Sequence, residues 1–324
     1  MDSAALATVV ADGMGVPAVE VVDLVRLSGG ASRQTFSFDA VHDGGTEELI
    51  LRLAPDGLGD AVGQTMLLEA DLMREAARVG VPIPEVLAAS AGSDQLGAPY
   101  VVMRRISGET IARKILRDEQ YADVRPRLAM QCGEILGNLH QMDTSSLPAG
   151  GDHYQLDGLR AILDGSGVVS PMLELALRWL DQHQPPTTRT TVVHGDFRHG
   201  NFIIGTDELR AVLDWELAHL GDPMEDLGWL CTRAWRFGGK GPVGGFGDYA
   251  DLFAGYEKTS GIAVDPDVVK WWELLGTVKW GVICVVQANR HLSGSQKSME
   301  LAAIGRRLAE QEYDCLNLLE ELTS

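Results

Sequence analysis

Cysteine is scarce in this chain and widely spaced. The 324 residues hold four, Cys132, Cys231, Cys284 and Cys315, and no C-x-x-C. That pattern excludes a disulfide framework and a cysteine zinc site, and it fits free, buried thiols in a reducing cytoplasm. Positive charge is also short. Lys and Arg total 27 against 46 Asp and Glu, a formal net charge of −19. A nucleic-acid binder needs a basic face, so that class of partner is disfavoured and none is expected. No run of like charges is longer than three residues, so no acidic tail accounts for the total. Long apolar runs are missing as well. Gly281 to Val286 falls far short of the ~20 residues a membrane helix needs. The first basic residue is Arg26, which leaves no positive n-region of a signal peptide. The expectation is a cytoplasmic protein with no membrane partner.

The rest of the composition is that of a folded protein. Apolar residues make up 45% and charged residues 23%, both ordinary values. The chain is longer than one hydrophobic core normally serves, so two lobes are expected. No repeat and no low-complexity linker interrupts it. Residues 3 to 15 read as a short helix. Val19 to Leu27, Thr35 to Val41 and Glu48 to Leu53 read as strands. Gln64 to Val79 carries Leu68, Leu72, Met73 and Ala76 at helical spacing and stops before Gly80, Pro82 and Pro84. Val86 to Ala89 and Pro99 to Met103 read as two more strands. From Glu109 onward helical patterns dominate. Leu128, Cys132, Ile135, Leu136, Leu139 and Met142 form one buried stripe, with His140 beside it as a core or helix-end histidine.

The most informative stretch is His194-Gly195-Asp196-Phe197-Arg198-His199-Gly200-Asn201, followed by Leu213-Asp214-Trp215. Phosphoryl transfer from a magnesium nucleotide needs a carboxylate near the attacking hydroxyl and hard oxygen ligands for the metal. An H-x-D-x-x-x-x-N loop with a later Asp supplies both. Thr190 to Val193 reads as a strand entering this loop. Phe202 to Ile204 and Leu209 to Leu213 read as two strands after it. The hairpin between them is expected to fold Asp214 back beside Asp196 and Asn201. Asp and Asn also favour turns on their own account; it is the spacing of all three behind His194 that points to chemistry.

These residues resemble the aminoglycoside phosphotransferase family, the small-molecule branch of the protein-kinase-like fold. Within it, the chain is similar to the kinase-like domains fused to acyl-CoA dehydrogenases. The resemblance is carried by 194–202, by Val212-Leu213-Asp214-Trp215-Glu216 and by Gly221-Asp222-Pro223-Met224-Glu225-Asp226-Leu227-Gly228. It runs from about residue 22 to the C-terminus. It implies an α+β, two-lobed fold, with a small β-rich N-lobe over 1–103, a hinge at 104–108 and a larger, mostly helical C-lobe over 109–324. It implies Asp196 as catalytic base, Asn201 and Asp214 as magnesium ligands, and His194 as a support for the loop. The implied cofactor is Mg²⁺ with ATP, GTP remaining open. The implied partners are a nucleotide and a small-molecule hydroxyl acceptor.

Two pieces of the N-lobe bear on the nucleotide. The stretch Leu27-Ser28-Gly29-Gly30-Ala31-Ser32-Arg33-Gln34 lets backbone N–H groups approach phosphates, with Ser32 as a contact, although a full G-x-G-x-x-G is absent. In the kinase pattern the third strand carries a lysine paired with a helix glutamate. Here Arg52 stands at that place and Glu69 is its expected partner. Arginine keeps the charge but presents a planar fork. Val101 to Gly108 resembles the hinge, which implies adenine contacts at Met103 and Ile106.

Farther on, Asp222, Pro223 and Glu225 read as an N-cap, a proline at the first helical position and a reciprocal capping glutamate. Asp226 then falls in the first turn, where a carboxylate suits the helix dipole. Six glycines between 238 and 247 suggest either a long surface connection or a mobile loop over the acceptor. Pro266 to Leu319 holds two long helical patterns split near Ser293-Gly294-Ser295, the second striped by Leu301, Ile304, Leu308 and Tyr313. Trp235, Trp271, Trp272 and Trp280 are candidates for an acceptor pocket with apolar character, against which dense carboxylates would count. An acidic surface serves solubility, whereas an acidic pocket would suit a polycation. Two other functions stay open. One is a catalytically silent, nucleotide-binding scaffold, for which the Arg52 departure leaves room. The other is a metal-dependent phosphoesterase, loosely suggested by Asp181-Gln182-His183 and Gly195-Asp196. The acceptor and the oligomeric state do not follow from the sequence.

Overall fold

The computed structural model describes residues 2–27, 33–54, 60–92, 95–147, 155–187 and 189–324, with the backbone alone at 60, 61 and 146. Ser32 and the glycine pair before it lie outside the described residues. The chain divides into two compact units. Unit 1 takes in Met1–Gly108 and Arg210–Glu216; unit 2 takes in Glu109–Leu209 and Leu217–Ser324.

Unit 1 opens with α1 (Ser3–Met14). The Asp2 side chain accepts the Ala4 N–H at 2.9 Å, and Gly15 ends the helix in the left-handed region. The strands β1 (Glu20–Arg26), β2 (Gln34–His42) and β3 (Gly45–Leu53) follow, then α2 (Asp60–Arg78), β4 (Val86–Ser90) and β5 (Tyr100–Arg104). The strands form one antiparallel sheet in the order β1-β2-β3-β5-β4. Alternation along each strand sends every second side chain to one face. Phe38, Ala40, Leu49, Leu51, Tyr100 and Val102 gather there with Leu6, Val9 and Val10 of α1 in a core. Each such large apolar side chain, fully buried, contributes about 1.5–3 kcal/mol. The same alternation turns Arg52, which pairs in register with Thr35 and Val101, away from that core.

Unit 2 is mostly helical. Its helices are α3 (Ala112–Arg117), α4 (Leu128–Leu139), α5 (Leu156–Ser166), α6 (Pro171–Gln182), α7 (Met224–Cys231), α8 (Tyr249–Ser260), α9 (Pro266–Leu292), α10 (Met299–Gly305) and α11 (Leu308–Thr323). The short strands β6 (Thr191–Val193), β7 (Phe202–Ile204), β8 (Leu209–Val212) and β9 (His219–Gly221) lie between α6 and α7 in sequence; most of β8 belongs to unit 1. Helix α9 starts on Asp265, whose side chain accepts the Asp267 N–H at 3.0 Å, and on Pro266 at the first position. Its Trp271, Leu274, Leu275, Val278 and Val282 pack with Leu173, Leu177 and Leu180 of α6 and with Cys315, Leu318 and Leu319 of α11. Helices α4 and α8 lie close enough to require glycine. A Cβ on Gly133 would stand 2.1 Å from the Leu252 carbonyl oxygen. Among the described residues no helix is long and apolar enough to cross a membrane.

Three features depart from the sequence expectation. Strand β9 pairs antiparallel with β6, although its His-Leu-Gly carries no strand signal. The second C-terminal pattern is two helices, and Tyr313 is 60% exposed. The glycine-rich segment is not a surface connection: Val243 and Phe246 are buried, and Gly244 N–H donates to the Leu230 carbonyl at 3.2 Å. Glycine backbones there pack where a side chain would collide.

Candidate active site

Strand β6 delivers the chain into the H-x-D-x-x-x-x-N loop, and one buried carboxylate fixes its start. Asp226 Oδ2 accepts the His194 N–H at 2.7 Å and Oδ1 accepts the Gly195 N–H at 2.9 Å. Asp226 is itself held by His140 Nε2 at 3.2 Å, and His140 Nδ1 meets Tyr256 Oη at 3.1 Å. Burial acts to raise the Asp226 carboxyl. The hydrogen bond and charge of His140, then the charge and N–H of His194, outweigh it and hold the group below its ordinary range. Asp226 is thus more than a helix-dipole carboxylate. Its one signal in the sequence is its place inside the Gly221–Gly228 segment.

Gly195 makes the next turn possible. Its φ is +75°, and a Cβ there would lie 2.4 Å from the Leu217 carbonyl oxygen. The Asp196 N–H then donates to His194 Nδ1 at 3.2 Å, so His194 supports the loop from inside.

Three side chains hold the Asp196 carboxylate. Oδ1 accepts Arg198 Nε and Trp229 Nε1, each at 2.9 Å. Oδ2 accepts Asn201 Nδ2 at 2.6 Å. A carboxylate offers about four lone-pair sites, so these three leave one, on Oδ2. The Asp196 side chain is 14% exposed. Arg198 stacks over Trp235 at 4.4 Å, and Trp229, Trp235 and Trp280 pack in sequence with centroids 5.1 and 4.8 Å apart. Sequence reasoning missed Trp229 and Arg198 as site residues; the Trp229 contact depends on α7 returning to the loop. Lys279 of α9 is buried beside them, its Nζ 3.5 Å from the Gly195 carbonyl and 3.4 Å from Glu225 Oε1. Glu225 therefore does not cap α7 reciprocally. It pairs with Lys279 and, through Oε2, with His219 Nε2 at 3.3 Å. Asp222 does accept the Met224 N–H, at 2.9 Å.

His199 is the other buried group of the loop. Nδ1 donates to the Gly244 carbonyl at 2.8 Å, while Nε2 is buried with no partner among the described residues. Phe237 and Phe246 meet the ring edge-on. A second proton would sit unpaired in an apolar niche. Burial, with the Arg198 charge added and the Gly244 bond opposing, pulls its pKa from 6.5 to about 4.

Asn201 and Asp214, the expected metal ligands, each carry an oxygen of the kind magnesium takes. Among the described residues Asn201 Nδ2 donates twice to Asp196, to its carbonyl at 3.0 Å and to its carboxylate. The amide oxygen Oδ1 is left unbonded among the described residues, and a hard oxygen suits this cation. Asp214 sits at φ +68°, a conformation Asp tolerates and most residues avoid. Among the described residues no cluster of three or more His, Cys, Asp or Glu is arranged to hold a metal by itself; magnesium bound through phosphates needs only one or two carboxylates. Asp196 and Asn201 belong to unit 2, and Asp214 to unit 1.

Within unit 1, Asp214 lies among charged groups. Arg52 Nη2 is 3.7 Å from Asp214 Oδ1, and Arg52 Nη1 is 3.7 Å from Glu69 Oε2. The tight partner of Glu69 is Arg33, which forks both carboxylate oxygens. Glu216, 3.8 Å from Arg33, is raised above its usual range by burial and by the Asp214 charge. Met103 is buried on β5 opposite Ile50 and Val86, and Ile106 is partly buried beyond the strand.

A cavity of about 410 Å³ in unit 2 is lined by Trp271, Trp272 and Leu275, and also by Asp157, Asp181 and Asp222. Its wall is aromatic and acidic together. Trp235 and Trp280 are not part of it; they pack beside Arg198. The loose phosphoesterase signature is not assembled as such: Asp181 and Gln182 end α6, and His183 stacks on Trp179 and bonds its carbonyl at 2.8 Å.

Comparison with known proteins gives the family and the fold. The model of the phosphotransferase enzyme family matches residues 23–262. Acyl-CoA dehydrogenase family member 10 of Mus musculus is 28% identical over 232 residues, which are 67% of this chain and 21% of that protein. Acyl-CoA dehydrogenase family member 11 of Gallus gallus is 27% identical over 315 residues, 88% of this chain and 39% of that protein. The chain therefore spans well under half the length of these curated relatives. Among solved structures, a candidate aminoglycoside phosphotransferase of Ralstonia eutropha superposes with a TM-score of 0.77 at 22% identity, covering 99% of this chain and 98% of that one. The macrolide 2'-phosphotransferase MphH of Brachybacterium faecium gives 0.60 at 16% identity over 90% and 93%. These likenesses show the fold, a two-lobed kinase-like one with an antiparallel N-terminal sheet and a mostly helical remainder. With nearly three quarters of its length matched, the chain belongs to the phosphotransferase enzyme family.

Proposed function

We propose that the protein transfers the γ-phosphate of ATP, bound with magnesium, to a hydroxyl of a small molecule. The observation that carries this reading is the Asp196 carboxylate. Three donors fix its orientation, and one lone pair on Oδ2 is left to accept a hydroxyl hydrogen bond. In that position Asp196 orients the alcohol and takes its proton as the bond to phosphorus forms. In a loose transition state that proton leaves late. Arg198 and Trp229 hold Oδ1 so that Oδ2 meets the substrate at no reorganisation cost. Asn201 and Asp214 are the residues that would hold the metal. Bound with nucleotide, magnesium supplies charge neutralisation at the phosphate oxygens. Arg52 would position those phosphates, with Ser32, Met103 and Ile106 contributing to the nucleotide site.

The acceptor class is left to the assay. Aminoglycosides, other amino sugars, hydroxylated acyl-CoA-like compounds and choline-like alcohols all carry a suitable hydroxyl. The names of the relatives favour including acyl-CoA-like compounds in the first pool. Fold membership alone assigns none of them. The test is transfer of labelled γ-phosphate from Mg-ATP into pooled aminoglycosides, hydroxyacyl-CoAs and cell metabolites, with Asp196→Ala in parallel. The expected result is label in an organic product, lowered at least about a hundredfold in the variant, the usual scale for loss of a general base. Equal turnover by the variant would remove Asp196 from the mechanism. Binding of ATP with no transfer to any acceptor would favour a silent nucleotide-binding scaffold.

A further inference from the structure

The glutamate of α2 carries an arginine that the kinase pattern does not contain. Glu69 is 4% exposed and Arg33 is 8% exposed. Arg33 Nη1 donates to Glu69 Oε2 and Arg33 Nη2 donates to Oε1, a bidentate fork between buried partners. Arg52 reaches the same carboxylate only as an ion pair, at 3.7 Å, beyond hydrogen-bond length. Its other ion pair among the described residues is the equally long approach to Asp214. The two arginines also differ in exposure: the Arg33 side chain is 6% exposed and that of Arg52 is 21%.

In the general kinase arrangement one lysine both pairs with the helix glutamate and contacts the nucleotide phosphates. Here those two tasks fall on different residues. Arg33 saturates Glu69. Arg52, attracted by Glu69 and Asp214 but hydrogen-bonded to neither, keeps its donors for another anion. The balance of charge reinforces the point. Arg33 and Arg52 face three carboxylates, Glu69, Asp214 and Glu216. Removing Arg33 would leave a buried Glu69 with Arg52 as its remaining ion-pair partner among the described residues. An unpaired buried carboxylate is costly, so Glu69 would draw Arg52 into a full ion pair.

We propose that Arg33 is a positioning residue for nucleotide binding, holding Glu69 by its fork so that Arg52 remains available to the polyphosphate. The proposal rests on the nucleotide-binding reading of unit 1. Its test is the Kd of Mg-ADP, measured by calorimetry on the full chain, for wild type, Arg33→Met, Arg33→Lys and the double variant Arg33→Met/Glu69→Gln. Thermal unfolding of each variant reports folding separately. Arg33→Met should weaken binding at least about tenfold, the size of one charge-assisted hydrogen bond. Arg33→Lys, which keeps a charge but not the fork, should fall between the two. The double variant should recover most of the loss, because a neutral amide at position 69 no longer captures Arg52. A merely structural role for Arg33 would give no such recovery. Wild-type affinity in Arg33→Met overturns the proposal, and so does a double variant as weak as the single one. Should Arg33→Met fail to fold, wild-type affinity in Arg33→Lys overturns it instead. A wild-type protein that binds no Mg-ADP would refute the nucleotide reading itself, and the role of Arg33 with it.

Discussion

Replacing His199 with asparagine should flatten the acid side of the stability profile. The wild-type ring is fixed by one bond, Nδ1–H to the Gly244 carbonyl, and its Nε2 has no partner among the described residues. Folding therefore favours the neutral ring. The pKa is 6.5 in the ordinary state and about 4 in the folded chain. With the folded value depressed, the unfolded chain binds the extra proton first. The stabilisation is thus fully present above pH 6.5 and is lost as pH falls toward 4. The two pKa values correspond to a loss of about 2 kcal/mol by pH 5 and about 3 kcal/mol by pH 4. Asparagine places an N–H donor near the Nδ1 position and cannot titrate. The assay is urea unfolding of wild type and His199→Asn at pH 8, 7, 6 and 5, with linear extrapolation. Other titrating groups cancel in the difference between the two proteins. The variant should be less stable at pH 8, because the smaller side chain leaves a gap between Phe237 and Phe246. The difference should then shift in its favour by about 2 kcal/mol at pH 5. A difference that stays constant from pH 8 to 5 would refute the argument.

Trp229→Phe removes the N–H that donates to Asp196 Oδ1 and keeps a ring; turnover should drop about tenfold in steady-state kinetics, as for one hydrogen bond to a charged group. Asp226→Asn replaces one of the two acceptors held by the His194 and Gly195 N–H groups with a donor, and should cost roughly 2–4 kcal/mol in chemical unfolding while slowing transfer. Gly133→Ala sets a Cβ 2.1 Å from the Leu252 carbonyl, and a melting temperature at least about 5 °C lower is expected from forcing α4 and α8 apart. An unchanged melting temperature would show that the two helices separate at no cost.

Much of unit 1 was legible in the sequence because strands and amphipathic helices are local patterns. The five strands and α2 were readable from alternation at period 2 and stripes at period 3.6. The H-x-D-x-x-x-x-N spacing was readable for the same reason: Asp196 and Asn201 are five residues apart, and their contact lies within one loop. Elements stabilised by distant partners were not readable. Strand β9 has three residues and exists because β6 lies beside it. The glycines of 238–247 looked like surface, yet Val243 and Phe246 are buried, because close backbone packing and loose surface chain use the same residue.

What the sequence determined by itself was the family, through the resemblance its motifs carry, and with it the α+β fold; the separate strands and helices were legible from short-range spacing and hydrophobic period. What the tertiary structure decided was which distant residues hold the expected site residues. Trp229 returns to Asp196 from 33 residues away, Asp226 grips the loop from 32, and Arg33 reaches Glu69 across 36. Such partners are chosen by packing and by the cost of leaving a buried charge unpaired, and neither leaves a periodic mark on the chain.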